Sequence, residues 1–137
     1  MKAGGEMFTI NTKSQLPIYE QIVQKIKEQV VKGVLQEGEK ILSIREFASR
    51  IGVNPNTVSK AYQELERQEV IITVKGKGTF IANQTDKLSS PKKLAETRTK
   101  LKETILDLVY LGVNIEEIHK LADEYSQDII GGDVVEG

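Results

Sequence analysis

Two tetrads of apolar residues, each spaced i, i+3, i+4, i+7, stand close together in the middle of this chain and restrict its fold more than any other feature. Ile44, Phe47, Ala48 and Ile51 form the first; Val58, Ala61, Tyr62 and Leu65 form the second. That spacing puts four side chains on one stripe of a helix over two turns. Each tetrad carries its own start signal. Ser43-Ile44-Arg45-Glu46 is a capping box, in which the Ser hydroxyl and the Glu carboxylate each satisfy a free N–H at the helix opening. Asn54 is placed to cap the second helix, with Pro55 at the first helical position, where a missing N–H is no loss. Gly52 ends the first helix. Two short helices joined by a tight, Gly-containing turn make a helix-turn-helix unit.

The flanks extend the unit. Residues 1–16 carry little pattern and read as an extended arm ending at Pro17. Ile18, Ile22, Ile26 and Val30 recur every four residues, with Tyr19 and Val23 alongside. They predict an amphipathic helix from Ile18 to Lys32, opened by Pro17 as its first residue and stopped by Gly33. A turn through Glu37-Gly38-Glu39 follows. After Arg67 the period changes. Val70 to Val74 is β-branched throughout and too short for a helix, Lys75-Gly76-Lys77-Gly78 is a turn, and Thr79 to Ala82 is a second strand. A two-strand hairpin with a basic, Gly-rich tip directly after the second helix is a wing.

Residues 83–91 are polar and read as a linker. Beyond it Leu94, Leu101 and Leu108 recur every seven residues, with Ile105 three before Leu108, a heptad-like seam. Gly112 ends that helix and Asn114 caps another, with Glu117 three residues on; its apolar face is Ile115, Ile118, Ala122, Tyr125 and Ile129. The tail from Gly131 is expected to fray. The expected fold is therefore mainly α with a small β-hairpin: a winged helix-turn-helix domain over residues 9–82, then a short C-terminal helical dimerisation tail over 92–130.

Composition narrows the function. With no Cys, disulfides, thiolate metal sites and a cysteine nucleophile are excluded. Aromatics at 5% and no Trp argue against an aromatic ligand cleft or a stacking platform for single strands. No apolar leader and no spanning run appear, so the chain is read as soluble and cytoplasmic. The net charge of -1 hides an asymmetry. Residues 1–82 hold 12 Lys/Arg against 9 Asp/Glu, a net of +3, and residues 83–137 hold 7 against 11, a net of -4. A basic front and an acidic back fit a chain whose front alone meets phosphate.

The candidate contacts follow from geometry. A helix fits the major groove of B-DNA, and residues near its N-terminus reach base edges. Here that end presents Asn54, Pro55, Asn56, Thr57 and Lys60. Asn bonds adenine bidentately, Thr meets a base or a thymine methyl, and Lys reaches guanine or phosphate. The plainer alternative is that Asn54 only caps and the others are solvated surface. Arg45 beside Ser43 at a helix N-terminus makes a phosphate anchor, or else a surface ion-pair partner. Lys75, Gly76 and Lys77 at the wing tip can ride the backbone or enter the minor groove, although such a turn is also a common hairpin tip. No enzyme signature stands beside these. His119, the single histidine, has Asp123 at i+4, which reads as a solvated helix face rather than a metal pair. No phosphate-binding glycine loop joins a strand to a helix. No catalytic residue, metal or cofactor is expected.

These residues also carry a family resemblance. The series Pro17-Ile18-Tyr19, Gly38, Ser43-Ile44-Arg45-Glu46, Asn56-Thr57-Val58, Ala61-Tyr62, Leu65-Glu66 and Gly76-Lys77-Gly78-Thr79-Phe80 resembles the GntR-family winged helix-turn-helix over roughly residues 9–82. The short two-helix remainder is similar to the YtrA subfamily, whose members resemble minimal repressors dimerising through those helices. The resemblance implies bacterial transcription regulation, with DNA met by Arg45, by Asn54 to Thr57, and by Gly76 at the wing tip. Leu42 stands where the family usually has Pro, and Glu69 where it usually has Gly; Pro55 and Val74 occupy sites often filled by Arg. Fewer Arg contacts imply weaker binding per monomer.

The expected function is thus a homodimeric repressor of double-stranded DNA, with Leu94, Leu101, Ile105, Leu108, Ile115, Ile118, Ala122 and Tyr125 forming the two-fold interface. A winged helix serving as a protein-interaction module, with the acidic tail as its partner surface, is the alternative. A small effector or metal held between protomers is compatible with the first reading, and no residue identifies one.

Overall fold

The computed structural model of the chain describes residues 9–83 and 90–131. The expected linker falls mostly, and the tail beyond Gly131 wholly, outside them. The described residues form two compact units, 9–83 and 90–131.

In the first unit the order is α1 (Ile18–Val31), β1 (Lys40–Ile41), α2 (Ile44–Ile51), α3 (Pro55–Arg67), β2 (Ile71–Val74) and β3 (Gly78–Ile81). The apolar stripes read from the sequence meet in one core. Ile22, Val58, Ala61 and Leu65 are wholly buried there, with Ile26, Phe47, Leu35, Ile71 and Ile81 hardly more exposed. The rings of Phe47 on α2 and Tyr62 on α3 meet edge-on, with centroids 5.9 Å and planes 73° apart. The Tyr62 hydroxyl donates to the Leu42 carbonyl at 2.6 Å, which ties α3 to the residue just ahead of the α2 cap. Burial, with Glu46 nearby, raises that hydroxyl's pKa far above its ordinary value. Gly52 takes the left-handed conformation between the two helices, φ 70°, and the Val53 N–H returns to the Ala48 carbonyl. That closes the helix-turn-helix.

Four details differ from the sequence reading. Pro17 stands just outside α1, which begins at Ile18. Gly78 belongs to the strand rather than the turn. Most importantly, the sheet has three strands in the order β1-β3-β2, where a two-strand hairpin was expected. Strand β1 pairs antiparallel with β3, Lys40 opposite Phe80 and Ile41 opposite Thr79. Two residues define no alternation, so periodicity could not reveal β1. It forms because β3 otherwise presents an unpaired edge. The arm is also less extended than expected: the Gln21 side chain accepts from the Asn11 N–H and donates to the Asn11 and Leu16 carbonyls, all at 2.9 Å.

Helix α3 ends in a Schellman pattern. The Glu69 N–H donates to the Glu66 carbonyl at 2.9 Å and the Val70 N–H to the Leu65 carbonyl at 2.8 Å. The residue in the left-handed position is Glu69, φ 64°, the single non-glycine with positive φ among the described residues. A left-handed L-residue costs about 1–2 kcal/mol, partly offset by the greater chain entropy glycine loses on folding. Glu69→Gly should therefore stabilise the fold by about 1 kcal/mol, seen as a rise of roughly 4–8 °C in the thermal midpoint. An unchanged or lower midpoint would mean that the exposed Glu69 side chain contributes a compensating interaction.

The second unit is a helical hairpin, α4 (Pro91–Tyr110) and α5 (Ile115–Ser126), continued by a π-helical turn over Gln127–Gly131. Pro91, expected in the linker, opens α4. The connection closes with the Gly112 N–H on the Val109 carbonyl and the Val113 N–H on the Leu108 carbonyl. Neither helix buries a residue. Ile105, Leu108, Val113, Ile118 and Leu121 are half-buried in the hairpin. Of the apolar face expected on α5, Ile118 is half-buried, with Leu121 beside it, while Ile115, Ala122, Tyr125 and Ile129 are exposed.

Candidate nucleic-acid interface

The opening of α2 is held by both bonds of the capping box. The Ser43 N–H donates to Glu46 Oε1 at 3.0 Å and the Glu46 N–H to Ser43 Oγ at 3.1 Å. The Ser43 backbone bond, then its hydroxyl, hold the Glu46 carboxyl below the usual carboxylate range, with Lys40 and Arg50 assisting. This alters the anchor expected here. The carboxylate already faces the positive end of α2, so an incoming phosphate meets a helix terminus that its own acid has neutralised. Arg45, exposed between the two capping residues, is left to supply the attraction.

The start of α3 is different. Its first turn carries no acid. Asn54 Oδ1 accepts from the Asn56 N–H at 2.7 Å, and the Thr57 and Val58 N–H groups turn back to the Asn54 carbonyl. Asn54 therefore spends its oxygen on the cap and keeps its amide donors. Asn54, Pro55 and Asn56 are exposed and Thr57 half-buried, while Val58 behind them is wholly buried. Polar groups thus face outward from a turn whose other side is fixed in the core. Lys60, one turn on, lies with its Nζ 4.1 Å from the Tyr19 ring centroid. The Tyr19 hydroxyl bonds Glu20, which, with burial, raises its pKa.

At the wing tip Lys75, Gly76 and Lys77 are all exposed, and the Lys77 N–H donates to the Val74 carbonyl at 2.9 Å. The missed strand β1 brings a further cation. Lys40 lies across Gly78, where an added Cβ would stand 2.7 Å from the Lys40 Cε. The glycine leaves the side chain room on this face of the sheet. Lys40 also acts electrostatically on Glu46 at the start of α2. The hint in the sequence was Gly78, a strand position with no side chain two residues from the Phe80 that pairs with Lys40.

The residues expected to dimerise fall into two sets. Ile105, Leu108 and Ile118 are half-buried within the hairpin, while Leu94, Leu101, Ile115, Ala122 and Tyr125 are exposed. His119 and Asp123 are exposed as well, and no group of three or more His, Cys, Asp or Glu side chains gathers as a metal site among the described residues. No helix of the described residues is long and apolar enough to cross a membrane.

Residues 18–81 match the family described as bacterial regulatory proteins, gntR family. The chain is 44% identical over 126 residues to the HTH-type transcriptional repressor YtrA of Bacillus subtilis, covering 92% of this chain and 97% of that protein. In structure it is similar to a GntR family transcriptional regulator from Listeria monocytogenes, with a TM-score of 0.60 and 34% identity over 83% of this chain and 97% of that one. It is similar too to YtrA from Sulfolobus acidocaldarius, described as a GntR-family transcription factor, with a TM-score of 0.55 and 30% identity over 89% and 98% of the two chains. Capped tandem helices, a basic wing and likeness along nearly the whole length agree: this chain is a winged helix-turn-helix transcription regulator and belongs to the gntR family.

Proposed function

We propose that the chain is a repressor that binds a pseudo-palindromic operator as a homodimer. The observation that carries the DNA-reading surface is the start of α3, where exposed Asn54 and Asn56 stand on a turn anchored by wholly buried Val58. An apolar exposed surface there would have favoured a protein partner; it is polar. Arg45 at the start of α2, Lys75 and Lys77 at the wing tip and Lys40 on β1 add exposed positive charge suited to phosphate. Repression is supported by the repressor whose length the chain nearly spans. Two copies of α3 would enter successive major grooves, with half-site centres about 34 Å apart. The dimer is supported by the apolar residues that the tail leaves exposed.

Selection from a random duplex pool at two salt concentrations tests this directly. A pseudo-palindromic consensus whose affinity survives moderate salt is expected; weak binding that enriches nothing and vanishes as salt rises would leave only non-specific attraction. Two substitutions separate anchoring from reading. Arg45→Ala should weaken binding on all duplexes alike and reduce the salt slope by about one for each phosphate it no longer neutralises. Asn56→Ala should cost about 1–3 kcal/mol at particular base positions. Identical losses across operators from both would refute that division of roles.

A further inference from the structure

Lys60 extends from the outer side of α3, and its position is set by a residue of another helix. Tyr19 stands in the first turn of α1, half-buried and packed against the core, with its hydroxyl donating to Glu20 Oε2 at 3.2 Å. The ring is therefore fixed by packing on one side and by a hydrogen bond at its tip. The Lys60 ammonium rests 4.1 Å from the ring centroid, within the range of a cation–π contact. Such a contact engages one side of the ammonium, and the donors on its other side remain for an acceptor.

The obvious competitor for Lys60 is Glu64, at the i+4 spacing where Lys and Glu pair along a helix. Glu64 is engaged elsewhere. Arg67 grips both its oxygens, Nε at 3.0 Å from Oε1 and Nη2 on Oε2, and Gln68 Nε2 donates to Oε2 at 2.6 Å. Gln68 in turn accepts from Lys27 Nζ at 2.9 Å, so the acid is tied into a chain that runs back to α1. With this carboxylate occupied, the Lys60 ammonium is left to the Tyr19 ring.

We propose that Tyr19 is a positioning residue for DNA recognition: its ring face fixes the Lys60 ammonium beside α3, so that the cation meets the duplex already ordered. This rests on the reading of α3 as the helix that enters the groove. A free lysine loses rotamer freedom when it binds, and an ordered one has less to lose. Tyr19 itself touches no base in this scheme. It acts through Lys60.

A double-mutant cycle on the full chain tests it, with the duplex selected from the random pool as probe. Tyr19→Leu should weaken binding by about two- to five-fold, the strength of an exposed cation–π pair. Tyr19→Phe, which keeps the ring face, should bind as the wild type does. In a Lys60→Met background, Tyr19→Leu should have no further effect. Independent, multiplying losses would overturn the proposal. So would a Phe variant as weak as the Leu variant, or a Leu variant that binds more tightly because the ring had been holding the cation back. Should Tyr19→Leu fail to fold, the ε-methylene protons of Lys60 in the free wild-type protein give a second readout. They are expected upfield of ordinary lysine through the Tyr19 ring current, and an ordinary position refutes the contact. Failure of the wild-type chain to select any duplex is a different result: it removes the DNA-reading surface, and this proposal with it.

Discussion

Removing residues 91–137 should leave a folded winged helix that binds a single operator about 10²–10⁴-fold more weakly than the intact chain. The magnitude is that of lost avidity, since each half of a dimer binds its half-site at the effective concentration set by the other. The reason lies in the tail. Over 20 residues α4 buries no side chain, and Leu94, Leu101, Val109 and Tyr110 remain more than half exposed. On α5 Ile115 and Tyr125 do the same. Two amphipathic helices that shield only part of their apolar faces from water need further cover, and a second copy would supply it symmetrically. The first unit has its own complete core and does not share this need. Sedimentation should give a dimer for the intact chain and a monomer for the truncated one, with near-native helicity per residue in the latter. Leu101→Asp in the intact chain should reproduce both effects without deletion. A truncated protein that binds as tightly as the full chain would remove the tail from the mechanism.

The second large effect is on stability. Phe47→Ala should destabilise the first unit by about 3–5 kcal/mol, the usual cost of removing a buried aromatic side chain. Phe47 is 1% exposed and fills the space between α2 and α3, where its ring meets Tyr62. For a unit of this size that loss lowers the thermal midpoint by at least about 12 °C. It is a large fraction of the stability a small domain possesses. Phe80→Ala is the control: that ring is half-buried on the sheet opposite Lys40, and its loss should cost distinctly less. Equal costs at the two positions would mean that the space around Phe47 collapses to fill the void. Because α2 and α3 meet through Phe47, DNA binding should fall with the folded fraction and recover on cooling.

Much of this was legible because it is local. The apolar spacing of Ile44 to Ile51 and Val58 to Leu65, the Ser43–Glu46 box, the Asn54 cap and Pro55 each involve residues within a few positions of one another. Their chemistry needs no knowledge of the remaining chain. Helix ends were legible for the same reason, and Glu69 was marked by standing where glycine was expected. The tail was less legible. Its heptad-spaced leucines placed α4 correctly, yet on α5 the spacing did not pick out Leu121, which is half-buried beside Ile118.

The sequence by itself determined the three helices and the hairpin of the reading unit, the polar start of α3 and the segregation of charge between front and back. Tertiary structure decided which charges are available and where they stand. It set Lys40 across Gly78 through a strand too short to show a period, and laid Lys60 on a ring 41 positions earlier. Spacing along a chain specifies faces, because helix and strand periods are fixed. The meeting of side chains from different elements depends on packing, which no single stretch of sequence contains.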